Sequence, residues 1–173
     1  MNKTILAIDP SGNFTDGKGK TGIAICYGDL NTVRTHTVAA KDYVFRKDYW
    51  NGVLDWIRTL ERQQESSGRK LHVVVEKFVT RNNGFTTGKM QETPMLIGCI
   101  VQLCDELNIP IAFQTPSQAK KRYPDEILLT KLDQMSHVGT RWYLGTFQTN
   151  DHERDALRHM LYYINYGGIK DVQ

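Results

Sequence analysis

Apolar and polar residues recur along this chain with two different periods, and the switches between them mark its elements. Residues 4–8 (TILAI) are a short apolar run that stops at Asp9-Pro10-Ser11-Gly12, which has the turn chemistry that closes a strand. Residues 13–20 hold two Gly, two Lys and an Asp and predict an exposed loop, after which residues 22–27 (GIAICY) predict a second strand. Residues 32–38 set Val33, Thr35 and Thr37 against Arg34, His36 and Val38, a third strand. Short turns between the three predict an antiparallel meander.

Between residues 48 and 64 the period changes: Trp50, Val53, Leu54, Ile57 and Leu60 recur at helical spacing, and Ser66-Ser67-Gly68 ends the helix. Residues 71–75 are a valine-rich run, the mark of a strand covered on both faces, which delivers Glu76 at its C-terminal end. Residues 94–107 are apolar on nearly every face, so this helix is either core or a subunit interface, with dimerisation preferred. Residues 109–113 predict another buried strand, followed by Thr115-Pro116-Ser117, the basic run Lys120-Lys121-Arg122 as a solvated loop, and a helix after Pro124. Residues 136–149 show little periodicity and predict no element. Residues 151–164 form a last helix, capped by Asn150 or Asp151 and stopped by Gly167-Gly168.

At 173 residues the chain suits one domain, residues 1–173, of mixed α/β class. Its net charge of +3 permits a polyanionic partner without requiring one. Cys26, Cys99 and Cys104 each lie in an apolar segment, which predicts buried free thiols in a reducing compartment. No apolar run approaches the roughly 18 residues of a membrane span, so a cytoplasmic protein with no membrane partner is expected.

The chemistry lies in where the acids fall. Asp9 closes the first strand, Glu76 closes the central one, and Asp155 stands one turn into the last helix on the face that also carries His152 and His159. Acids at the ends of adjacent strands, beside such a helix, converge at one sheet edge. Converging carboxylates repel and call for cations, and hard oxygen ligands suit magnesium or manganese.

These same residues carry a resemblance. ILAIDPSG followed by TGIAI resembles the first hairpin of the RuvC-type Holliday-junction resolvases, VVVEKF resembles their second acidic strand, and DHERDALRH resembles their C-terminal catalytic helix. The order and approximate spacing of the three blocks also agree, over nearly the whole chain. The resemblance implies a ribonuclease H-like fold: a mixed five-stranded sheet, strands one to three antiparallel and the rest parallel, flanked by helices. It further implies a homodimer, two magnesium ions per active site with manganese able to substitute, and paired nicks in four-way DNA junctions during recombination and repair.

Carried over residue by residue, the resemblance implies that Asp9, Glu76 and Asp155 are the catalytic and metal-binding acids. His152 matches a position that is Asp in some members and His in others; Asp151 stands beside it, and either can face the metals. TPSQAKKR resembles the family's Pro-x-x-x-Lys segment and makes Lys120 a contact of the scissile phosphate, with Lys131 where a second basic residue is expected. Lys121 and Arg122 extend this DNA-binding set, as do Arg81 and Lys89 after the second acidic strand. An aromatic wedge is expected at Phe78 or Phe85, stacking on a base at the junction centre. The long loop at residues 11–20 and the stretch at 136–149 depart from the bacterial pattern and suggest a divergent, phage-type member.

Each residue also has an ordinary reading. Asp9 to Gly12 taken alone is a turn, Glu76 a strand-end carboxylate in solvent, and His159 a packed or capping histidine; His36, His72 and His137 show no partner pattern. Phe78 and Phe85 taken alone are core residues. Asp155 is harder to dismiss, because a carboxylate on an apolar helix face costs several kcal/mol unless paired. The rival functions are a ribonuclease H acting on RNA–DNA hybrids or RNA, which usually carries a further acid from its first helix where this chain offers only the late Glu61, and a non-catalytic DNA-binding protein. An actin-like ATPase requires a second phosphate loop and about twice this length.

Overall fold

The computed structural model describes residues 2–79 and 91–167. Its main sheet has the strand order β3-β2-β1-β4-β5, built from β1 (Lys3–Asp9), β2 (Lys20–Cys26), β3 (Val33–Ala39), β4 (Lys70–Glu76) and β5 (Ile111–Gln114). The first three strands are antiparallel neighbours, and β4 and β5 then run parallel to β1. The mixed α/β class, the early meander and the parallel second half match the reading of the sequence. β1 and β4 sit in the middle, where both faces are covered, and are apolar almost throughout.

Alternation sends neighbouring residues of each strand into different layers. Leu6, Ile8, Ile23, Ile25, Val73 and Val75 point to α1 (Arg46–Ser67) and α2 (Glu92–Glu106), which supply Val53, Ile57, Leu60, Leu96 and Ile100. Ile5, Ala7, Ala24 and Val74 point to the other side, where α5 (Asp151–Tyr166) packs with Ala156, Leu157, Met160 and Leu161. α2 buries only one stripe: Leu96, Ile100, Leu103 and Cys104 are covered while Met95 is 49% exposed. The helix is therefore neither fully core nor fully polar outside.

Two segments differ from the sequence reading. The basic run is no loop; it ends α3 (Pro116–Arg122), which Thr115 and Gln118 start with a reciprocal capping box. The helix after Pro124 is α4 (Asp125–Lys131), and the unassigned stretch beyond it is a second, three-stranded antiparallel sheet: β6 (Met135–Val138), β7 (Arg141–Leu144) and β8 (Phe147–Thr149). Its hairpins pair Val138 with Arg141 and Leu144 with Phe147, each across a Gly-Thr turn whose glycine has a positive φ of 61°. Repeated Gly-Thr pairs were the overlooked signal, because glycine at the first turn position suits a two-residue hairpin. The strands are only three or four residues long, too short for periodicity to show.

The three cysteines are free thiols, Cys26 and Cys104 buried and Cys99 half-buried. Burial pushes the Cys104 thiol up to about 12, so it is inert at neutral pH. Among the described residues no helix is long and apolar enough to cross a membrane.

One contact sets the distance between α5 and the sheet. A Cβ on Gly22 would lie 2.1 Å from the His152 carbonyl oxygen, so the start of α5 rests directly on the β2 backbone. Gly22→Ala is expected to cost about 3 kcal/mol, the upper end for overpacking, because backbone rather than a flexible side chain stands in the way. Chemical denaturation checks this, and a loss below about 1 kcal/mol shows that α5 can lift without penalty.

Candidate active site

Register brings three strand-end residues and Gly22 of β2 into one row across the sheet. Asp9 pairs with Gly22, Ile8 with Val75 one step before Glu76, and Glu76 with Gln114. Alternation turns the row toward α5, since Ala7, Val74 and Ala112 two positions earlier face the same side. Asp9 and Glu76 therefore stand side by side at the C-terminal ends of parallel strands, beneath the helix that carries His152, Asp155 and His159.

Each acid meets a base. His152 Nδ1 lies 2.7 Å from Asp9 Oδ2, and His159 Nε2 lies 2.7 Å from Glu76 Oε2. Lys120 Nζ lies 2.7 Å from Asp155 Oδ2, and Arg158 bonds the other Asp155 oxygen. Burial pushes the Asp9 carboxyl above its usual range; the His152 bond opposes this, and the charges of Glu76 and Asp155 add to it. The same bond to Asp9 holds His152 above its ordinary value against the effect of burial. Burial works against the Lys120 charge, but its bond to Asp155 and the fields of Asp155, Glu76 and Asp9 outweigh it and raise its pKa. Three carboxylates thus sense one another across a shared space.

Of the three acids Glu76 lines a cleft of about 520 Å³, with Pro10, Phe78, Thr93, Ser117 and Lys120 among its other walls. Among the described residues no three His, Cys, Asp or Glu side chains are arranged to ligate one ion, and a base sits on an oxygen of each acid. The donor set still fits a hard divalent cation: carboxylate oxygens on adjacent strand ends, a third above them, and repulsion that a cation relieves.

The loop after Asp9 is held rigidly. Tyr49 donates to the Ser11 carbonyl and accepts from Thr21 Oγ1, and burial pushes its hydroxyl up to about 12, so it stays protonated. Trp50 Nε1 donates to the Gly12 carbonyl, and Gly12 N donates to Thr93 Oγ1. Buried Glu92, at the start of α2, accepts from the Phe14 and Thr15 backbone and the Thr15 hydroxyl. A Cβ on Gly12 would meet the Glu92 carbonyl oxygen at 2.0 Å, so only glycine lets the loop lie so close.

Not every expected residue joins the cluster. Asp151 is 87% exposed at its side chain and pairs with Arg154, so of the two neighbours it is His152 that faces Asp9. The first helical turn points Asp151 away while the next position points in. Arg122 bonds the Tyr166 hydroxyl and lies over its ring rather than toward the cleft. Lys121 and Lys131 are exposed on α3 and α4 and line none of the cleft. Phe78 lines it, half-buried. Arg81, Phe85 and Lys89 lie outside the described residues.

Other residues enter that sequence reasoning passed over. Arg158 grips Asp155 and also bonds Asp125 at the start of α4 and the Tyr123 carbonyl, while Arg154 bonds Asp125 and Asp151. The visible signal was Asp-x-x-Arg occurring twice in DHERDALRH, a spacing that puts each pair on one helix face. His159 is packed, as expected, but against Glu76, one of the candidate acids. The other histidines do have partners: His72 bonds the Tyr163 hydroxyl, His36 packs on Trp56, and His137 stacks on Trp142. Glu61 lines a cavity with Lys70 and Leu71, at the opposite end of β4 from Glu76.

No family model and no curated protein matches the sequence. Solved structures do match. The structure described as "T. thermophilus RuvC in complex with Holliday junction substrate" is similar with a TM-score of 0.61 and 17% identity, over 95% of this chain and 94% of that one. A second Thermus thermophilus RuvC structure is similar with a TM-score of 0.58 and 14% identity, over 95% of this chain and 97% of that one. Such identity carries the fold and not the chemistry, and over nearly its whole length this chain has the ribonuclease H-like fold of RuvC.

Proposed function

We propose that this chain is a divalent-metal-dependent endonuclease that cuts branched DNA, four-way junctions above other forms. The observation that carries the reading is the row of Asp9 and Glu76 on adjacent parallel strand ends, with His152 and Asp155 directly above them and Lys120 at the cleft wall. Its support from outside is a fold shared with a protein solved on a Holliday junction substrate.

In this reading Asp9, Glu76 and Asp155 hold two magnesium or manganese ions, with His152 as a nitrogen donor. When bound, the ions supply water activation and charge stabilisation for in-line phosphodiester hydrolysis. The chain's own residues do the rest. Lys120 leaves Asp155 for the scissile phosphate and keeps the site's charge balanced before DNA arrives. Arg158 grips Asp155 from behind, so the acid stays oriented when Lys120 moves. The braced loop at Ser11 and Gly12 fixes the chain just past Asp9. Phe78, at the mouth of the cleft, offers a surface on which a base stacks. The outer stripe of α2 around Met95 supplies a face for a second copy, which pairs two such sites for symmetric nicks.

A ribonuclease H acting on hybrids is less well supported, because Glu61 of α1 stands at the far end of β4. Incubating the protein with four-way, three-way, flap, linear duplex and hybrid substrates, with magnesium and with a chelator, separates the readings. Symmetric, magnesium-dependent nicks across a four-way junction are expected; hybrid cleavage without junction cleavage reverses the assignment.

Asp9→Asn, Glu76→Gln and Asp155→Asn should each lower cutting by at least about a hundredfold, beyond the usual effect of losing a group one layer out, while still binding junctions in a gel shift. Wild-type cutting by any of them sinks the site. Lys120→Met should lower the slope of log binding constant against log salt by about one counterion; an unchanged slope removes Lys120 from the phosphate contacts.

The pH dependence has a definite sign. Below its raised pKa His152 is an imidazolium paired with Asp9, and neither group is then free for a cation, so cutting should fall on the acid side starting above the ordinary histidine value of about 6.5. The pair's contribution to stability runs the other way: full below the unfolded histidine value and lost as pH rises through the raised folded one. His152→Asp should move the acid limb of the rate profile to lower pH. An unmoved limb shows that His152 does not control it.

A further inference from the structure

The bases that face the three acids are not equivalent. The side chains of His152 and Lys120 are 41% and 51% exposed, so they meet Asp9 and Asp155 from the solvent side, where a cation or phosphate would displace them. His159 is 0% exposed and reaches Glu76 from within the core, so it has nowhere to go when the cleft fills. Its other ring nitrogen, Nδ1, lies 2.9 Å from Oε1 of Gln114, itself fully buried at the neighbouring position of β5. Both nitrogens of a core imidazole are thereby committed, one of them to an acid of the cleft.

The protonation pattern follows from electrostatics. Were Nε2 the bare nitrogen, its lone pair would face the Glu76 carboxylate at 2.7 Å, a repulsive contact; with the proton there, the contact is a charge-assisted hydrogen bond. Gln114 Nε2 has no partner where it stands. Turning its amide over sets that donor on the Nδ1 lone pair, which ends the orphaned N–H and selects the neutral tautomer with its proton on Nε2. Whichever way the amide lies, Nε2 donates to Glu76.

We propose that His159, itself set by Gln114, is the positioning residue that orients Glu76 as a cation ligand, holding Oε2 from the buried side so that Oε1 is presented to the cleft. This rests on the metal-dependent reading above. Glu76 is the longest of the three acids and ends a strand, so without that bond its carboxylate has the most rotamers to sample. Partners of this kind, one layer behind a ligand, typically change metal affinity by about ten- to hundredfold when removed. Gln114 extends the same logic by one step, fixing the ring that fixes the carboxylate.

The test titrates manganese into the purified protein and reads free ion by electron paramagnetic resonance, without DNA. His159→Phe should weaken uptake by at least about tenfold, whereas His159→Gln, whose amide can donate from nearly the same place, should stay close to wild type. Equal uptake by wild type and His159→Phe, in a protein where Glu76→Gln loses it, overturns the proposal alone. Wild-type protein that takes up no manganese sensitive to Glu76→Gln overturns the metal-dependent reading itself. Should His159→Phe fail to fold, nitrogen-15 resonances of the wild-type ring decide: a protonated, pyrrole-type Nε2 whose proton signal shifts in Glu76→Gln is expected, and a pyridine-type Nε2 overturns the proposal.

Discussion

The close seating of α5 on the sheet is the contact on which the rest depends. At Gly22 the helix backbone and the strand backbone meet with no side chain between them, and the row of Gly22, Asp9, Glu76 and Gln114 lies under the helix's polar face as a result. Lifting α5 by the width of one methyl group would separate His152 from Asp9 and His159 from Glu76, since both bonds are already 2.7 Å long. The apolar stripe of Ala156, Leu157, Met160 and Leu161 pulls the helix down, and the missing side chain at Gly22 lets it arrive.

Charge is balanced locally rather than globally. The net charge of +3 says little about the site, where each acid is matched by its own base. The matching has two layers. His152 and Lys120 bond Asp9 and Asp155 from exposed positions, whereas Arg158 and His159 bond Asp155 and Glu76 from buried ones. Burial of charge is tolerated because the buried charged groups of the site are bonded, as the Arg158 contacts to Asp155, Asp125 and the Tyr123 carbonyl illustrate. Through Asp125 this network also ties α4 to α5, so the short helices after β5 are anchored to the same acids.

The segments around the site are organised by the same economy of polar bonds. The long loop after Asp9 has few apolar residues, yet Tyr49, Trp50, Thr93 and Glu92 take up its backbone groups from α1 and α2. The small β6-β7-β8 sheet leads directly into the start of α5, and Trp142 lies between the His137 ring and the Arg154 guanidinium. The residue that stiffens this sheet, Arg154, is thus a neighbour in sequence of Asp155.

Much of this was legible in the sequence because it depends on local period and on strand ends. An apolar run ending in Asp9, a valine-rich one ending in Glu76, and a helix with His152, Asp155 and His159 on one face mark the mixed α/β class and the positions of the acids by alternation and by the helical repeat, and the family resemblance adds the parallel half of the sheet. Short strands joined by Gly-Thr turns escaped because three or four residues carry too little period. What only the tertiary structure decided is which base meets which acid. Asp151 and His152 are adjacent in sequence, and a rotation of about 100° per residue in a helix sends one to solvent and the other to Asp9. Gln114, Arg158 and His159 look ordinary as letters; their distances to Glu76 and Asp155 come from register between strands and from the depth at which α5 packs, and neither is written in any single segment.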